Sequence, residues 1–216
     1  CADGHIFSNA KLRQALSLCI NRELITNNLL GVGEPSIWPC MEGAIGYREA
    51  SGYHYDLEKA KSLLKEAGYA GEQINFIVSS GRITRSTEVV QGIMSMMQEA
   101  GFVVSVETVE NATFIDRRSA GAYDLQIGAM TFNGGDTFNE LSEIIKGDRF
   151  HTSYVNEALN AVIAKGVEGV TDLEARDKAS ADAYQIVLDQ YAPIIPLYST
   201  VAVTAYQSNF IGFTVF

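Results

Sequence analysis

Histidine, cysteine and clustered positive charge are all scarce in this chain, and each scarcity removes a class of function. Of 216 residues only three are His and three are Cys. His5, His54 and His151 lie far apart, with no second ligand at helical spacing, so no metal centre is expected. Cys1, Cys19 and Cys40 are an odd number without a Cys-x-x-Cys pair, which supports neither a zinc site nor a disulfide framework. No basic run is longer than Arg117-Arg118, and the formal net charge is -10 with a pI near 4.7. Nucleic acid and anionic membrane surfaces are therefore not expected partners. No apolar run reaches the roughly 18 residues of a transmembrane helix, and no basic-then-apolar signal peptide is read at the start. The phosphate cradle Gly-x-x-x-x-Gly-Lys-Ser/Thr, the dinucleotide motif Gly-x-Gly-x-x-Gly and the nucleophile motif Gly-x-Ser-x-Gly are absent, so neither a cofactor nor catalysis is expected. The carboxylate pairs Asp172/Glu174 and Glu107/Glu110 sit at a helix start and a strand end, where a solvated face explains them better than acid/base work.

What is present is a packed globule with an α/β alternation. A hydrophobic content of 47% against 19% charged residues suits a folded domain, and no linker divides the chain, so 1–216 is read as one unit. The run Lys11-Leu-Arg-Gln-Ala-Leu-Ser-Leu-Cys-Ile-Asn-Arg22 places Leu12, Ala15, Leu16, Cys19 and Ile20 on one helical face, with Lys11, Arg13, Gln14 and Ser17 outside it. Cys19 then reads as a small core hydrophobe. A short helix is expected over Glu23 to Leu30, then a Gly- and Pro-rich loop to Tyr53 that carries the only tryptophan, Trp38. Asp56 caps a helix whose buried stripe is Leu57, Ala60, Leu64 and Ala67, and Gly68 ends it. Strands are expected at Ile74 to Val78, Phe102 to Val109, Tyr123 to Met130 and Ile194 to Ala205. Between them lie helices over Ser86 to Ala100, Ala112 to Ala120, Tyr154 to Lys165, and from the capping box Thr171-Asp-Leu-Glu174 to about Gln190. Val89, Val90, Ile93, Met97 and Ala100 face inward, and the neighbouring Met94 and Met96 read as core filling rather than a soft-metal surface.

The wording of these segments resembles a known family. The first helix with its Asn21-Arg22 end, Gly31-Val-Gly-Glu-Pro35, and Tyr55-Asp followed by Lys59-Ala-Lys-Ser-Leu-Leu-Lys-Glu-Ala-Gly-Tyr69 carry the likeness, together with Tyr123-Asp-Leu-Gln-Ile-Gly-Ala-Met130 and Ala192-Pro-Ile-Ile-Pro-Leu-Tyr198. In that order and spacing they are similar to the oligopeptide- and dipeptide-binding family of solute-binding proteins that serve ABC transporters. The resemblance implies a type II periplasmic-binding-protein-like α/β lobe, a mixed sheet flanked by helices. It implies that 1–216 is the C-terminal ligand-binding lobe of a larger two-lobe protein. The implied function is to capture a solute, most naturally an oligopeptide, outside the cytoplasm by hinge closure and to deliver it to ABC permease subunits. The missing N-terminal lobe would be the other partner. A sugar or other non-peptide solute, or a signalling peptide on the same scaffold, is the alternative. Cys1 could be the lipidated cysteine of an anchored protein, but the helix that follows it so closely resembles the middle of the family's chain, so an excised segment is the better expectation. The implied location is the periplasm or the outer face of the membrane.

The segment Met130-Thr-Phe-Asn-Gly-Gly-Asp-Thr-Phe138 is the candidate ligand loop. It follows a buried strand and combines adjacent glycines, two aromatics and short polar side chains, although a plain tight turn has the same composition. Met130, Phe132, Asn133, Gly134 and Asp136 are its candidate contacts. In the family's peptide-binding members an aspartate of this loop pairs with the ligand's amino terminus, and an arginine before it can meet the carboxylate. Here those positions fall on Asn133 and Ile127, and the tryptophan often found between them falls on Met130. Either Asp136 takes the ammonium, or the ligand is not recognised by a free amino terminus, since an unpaired buried charge is costly. Trp38 is a further candidate: it is either an aromatic wall for the ligand or an anchor of its loop in the core.

Overall fold

A computed structural model describes residues 5–40, 42–48, 53–81, 83–130, 136, 160–161, 164, 170–191 and 194–200. Ala10–Cys19 form α1, opened by the Asn9 carboxamide, which accepts the Lys11 N–H at 3.0 Å. Its expected apolar face is buried, but so are Arg13, Ser17 and Leu18. The sequence pattern had placed Arg13 and Ser17 outside. They are buried because each has a polar partner within the protein: the Arg13 guanidinium donates to the Phe7 and Ser8 carbonyls, and the Ser17 hydroxyl accepts from Arg22.

Helix α2, Arg22–Leu24, runs into a π-helical turn, Ile25–Leu30. Its first residue ties together three parts of the chain. The buried Arg22 guanidinium donates to the carbonyls of Ser17, Ile20, Tyr53 and Pro196 at 2.7–3.2 Å. These acceptors are all neutral, and burial depresses the Arg22 pKa to about 10.

Three strands form the central sheet: β2 (Gln73–Ser79), β3 (Val103–Val109) and β4 (Leu125–Gln126), in the order β3-β2-β4 and all parallel. Strand β2 in the middle pairs along its length with β3, from Gln73 opposite Val103 to Ser79 opposite Val109. Parallel strands need crossovers, and helices supply them. Helix α4 (Ser86–Ala100) links β2 to β3, and α5 (Asn111–Ser119) links β3 to β4. Alternate residues of β2 serve different cores. Ile74, Phe76 and Val78 pack with α1, α4 and α3 (Leu57–Glu66), whereas Ile77 packs with Phe114 of α5. A strand covered on both faces reads as an unbroken apolar run, as Ile74 to Val78 nearly does. The helices preceding β2, β3 and β4 stop at Ala-Gly pairs. At the second stop Gly101 has φ 107° and its N–H returns to the Met97 and Gln98 carbonyls, a geometry that strains any other residue.

Strand β4 is shorter than the Tyr123 to Met130 expected. At its start the Asp124 carboxylate accepts the Asn75 N–H at 2.6 Å, occupying the β2 donor that a ladder extended back toward Tyr123 would need. A second, antiparallel ladder joins β1 (Glu34–Pro35) to β5 (Tyr198–Ser199). The described part of the last expected strand thus pairs with the loop after Gly31 instead of closing the central sheet, and the Ser36 N–H donates to the Leu197 carbonyl beside it. Helix α6, Leu173–Ile186, ends in a π-helical turn, Val187–Tyr191. Its cap is Asp172, whose carboxylate accepts the Ala175 N–H at 2.8 Å, one residue later than the Thr171 box predicted. An ionised acceptor at a helix start outcompetes a hydroxyl. Most of the helix expected over Tyr154 to Lys165, and everything after Thr200, lies outside the described residues.

Candidate functional site

The chain leaves β4 at the carboxyl end of the parallel sheet, where ligands collect in α/β folds. Ile127, one residue on, is buried in the main core. Met130 then reaches a second apolar cluster, built from Trp38, Cys40 and Ala44 of the preceding loop and Ala183, Tyr184, Val187 and Leu188 of α6 and its π turn. Asp136 makes an isolated parallel β-bridge with Ile45 and an ion pair with Arg176 of α6 at 2.6 Å. Met130 and Asp136 are therefore both placed where the loop carrying Trp38 and Ile45 meets α6.

That junction is built from specific contacts. The Trp38 ring is 2% exposed, lies edge-on to Tyr184 at a centroid distance of 5.9 Å, and donates its indole N–H to the Gly46 carbonyl at 3.0 Å. The Gly46 N–H in turn donates to the Asp177 carboxylate at 2.8 Å, and Arg48 pairs with the same carboxylate. Arg48, and after it the Gly46 N–H, hold the Asp177 carboxyl below the usual carboxylate range. Gly46 has φ 86°, and a Cβ there would stand 2.7 Å from the Ser180 Cβ, so only glycine lets the loop lie this close to α6.

Of the candidate contacts, Met130 and Asp136 are brought to this junction, while Phe132, Asn133 and Gly134 lie outside the described residues. Trp38 is placed as the loop's anchor. Its polar atom is satisfied within the protein and its ring is enclosed by the second cluster, the arrangement expected of the anchoring alternative, and Met130 packs against the same cluster. The arginine position of the resembled family is a buried aliphatic, Ile127. Arg176 and the Arg48–Asp177 pair were not anticipated. No local pattern ties Arg176 to Asp136 or Arg48 to Asp177, because each pair is joined only by the docking of α6. Among the described residues, no group of three or more His, Cys, Asp or Glu side chains is placed to hold a metal ion.

Residues 3–150 match the model of the middle region of the bacterial extracellular solute-binding proteins, family 5. The chain belongs to that family. Family 5 is defined by solute binding rather than catalysis. Heme-binding protein A of Haemophilus influenzae is 28% identical over 214 residues, covering 90% of this chain and 37% of that protein. The periplasmic oligopeptide-binding protein OppA of the same organism is 26% identical over 209 residues, covering 90% of this chain and 38% of its own length. The solved structure of HbpA2 from Haemophilus parasuis superposes with a TM-score of 0.81 at 25% identity, over 89% of this chain and 40% of that one. The fold is thus the type II periplasmic-binding-protein-like one that the sequence resemblance implied. The chain spans about two fifths of the length of these relatives.

Proposed function

We propose that this chain supplies the C-terminal ligand-binding lobe of an extracytoplasmic solute-binding protein that captures oligopeptides and delivers them to the permease of an ABC importer. Membership of family 5 over residues 3–150 carries this reading. The placement of Met130 and Asp136 supports it: the chain leaves β4 at the carboxyl end of the sheet, Met130 packs against the second cluster, and Asp136 bridges to Ile45. Met130, Phe132, Asn133, Gly134 and Asp136 are the proposed contacts, with Trp38 holding the loop beneath Met130. Binding is coupled to closure against the other lobe, so the ligand acts by contacting the closed state better than the open one. The protein performs no catalysis in this scheme, and its place of work is the periplasm or the outer face of the membrane.

A second reading, a non-peptide solute, is favoured by one observation. The position that holds a carboxylate-binding arginine in the resembled peptide binders is Ile127, and it is buried in the core. A relative named for heme is as similar to this chain as one named for oligopeptides. Native mass spectrometry of the full-length protein, purified gently from its own host, separates the two. A heterogeneous set of short peptides is the expected load; a single non-peptide mass would replace the peptide reading with the second.

A further inference from the structure

We infer that Arg176 sets the charge preference of the ligand loop: by neutralising Asp136, it makes this lobe accept a solute group that carries no formal positive charge. The inference rests on the proposed function, because it takes the segment after β4 to face the solute. Asp136 is the one carboxylate of that segment, and it is held from both sides. Its backbone bridges to Ile45, and its Oδ2 lies 2.6 Å from an Arg176 guanidinium nitrogen. The guanidinium is itself anchored, since its Nη1 donates to the Val170 carbonyl at 3.2 Å. A planar donor group fixed at both ends keeps its geometry far better than a lysine ammonium would. An approaching cation therefore meets a compensated pair whose field falls off steeply, not a lone carboxylate.

The neighbouring acid is occupied in the same way. Asp177 is taken by Arg48 and the Gly46 N–H, so this carboxylate, like Asp136, is matched by an arginine. What the junction offers beside them is Met130 on its apolar cluster. Complementarity then favours an uncharged polar or apolar group, such as a blocked amino terminus or the interior of a longer peptide, because specificity follows from mismatched charge as much as from contact.

The test uses the full-length protein and two probes, tri-alanine with a free amino terminus and N-acetyl-tri-alanine, titrated by calorimetry. The wild type is expected to bind the free peptide no more tightly than the acetylated one. The R176Q variant unmasks Asp136 and should prefer the free peptide by about tenfold. R176K, which keeps the charge, should stay close to wild type, and R176Q/D136N should lose the new preference. A wild-type preference of about tenfold for the free amine would overturn the inference, and needs no variant to fold. An unchanged ratio in folded R176Q would overturn it as well. Binding of neither probe would remove the peptide reading beneath it, a result distinct from binding with the wrong preference.

Discussion

Two single residues carry consequences that can be measured directly. Cys19 is fully buried on α1, and desolvation pushes its thiol up to about 12. The folded protein therefore keeps this proton at pH values where the unfolded chain has lost it. Its contribution to stability is complete below the ordinary thiol value near 9 and is lost as pH rises from there toward 12. Between pH 8 and pH 10 the wild type should lose about 1.4 kcal/mol more stability than Cys19→Ala, read from urea unfolding at both pH values. Above pH 10 the depressed Arg22 adds a slope of opposite sign, so the comparison belongs below it. Gly46 is the second residue. Alanine there meets both a left-handed backbone and Ser180, and Gly46→Ala should cost about 2 kcal/mol or more in thermal or urea unfolding. A loss under about 0.5 kcal/mol would show that loop 36–48 can lift from α6 without penalty.

At the scale of the element, periodicity was a good guide wherever a helix has one apolar side. Val89, Val90, Ile93, Met97 and Ala100, read from spacing alone, are all buried on α4. It failed on α1, because a buried guanidinium satisfied by two carbonyls looks in sequence like a solvated charge. The start of α6 shows a finer limit. Thr171 and Asp172 are both good caps by residue type, and the backbone chose the aspartate. Asp172→Ala is expected to cost about 1 kcal/mol while Thr171→Ala stays within about 0.5 kcal/mol, a contrast that chemical denaturation resolves. The reverse order would restore the capping box as the working start of the helix. Strand β4 was overestimated for a related reason: an apolar run says where a strand can form, but the Asp124 side chain decides where its ladder begins.

At the scale of the whole molecule, the arrangement divides the work between two packed regions. The parallel sheet and its helices form one, and loop 36–48 with α6 forms the other; the segment after β4 passes from the first to the second. On the proposed two-lobe reading, a site on one such surface supplies only part of the contacts that closure against the other lobe would complete. The 216-residue chain alone is therefore expected to fold yet bind the peptide load of the full-length protein at least about tenfold more weakly, measured by calorimetry on both. Equal affinity would mean that these 216 residues hold the whole site and would overturn the two-lobe reading.

Composition, periodicity and the helix-stop pairs determined much by themselves: an α/β alternation, which faces of α3 and α4 are buried, and through a few worded segments the family. Those are local properties, because a 3.6-residue period, a cap or a left-handed glycine needs only its neighbours in the chain to be recognised. Tertiary structure alone decided the rest. That the Trp38 ring is enclosed by a second cluster, that Arg22 gathers carbonyls from three separate parts of the chain, and that Asp136 comes already paired with Arg176 all follow from the docking of elements far apart in sequence. Charge compensation and burial depend on which surfaces meet, and no local spacing encodes that meeting.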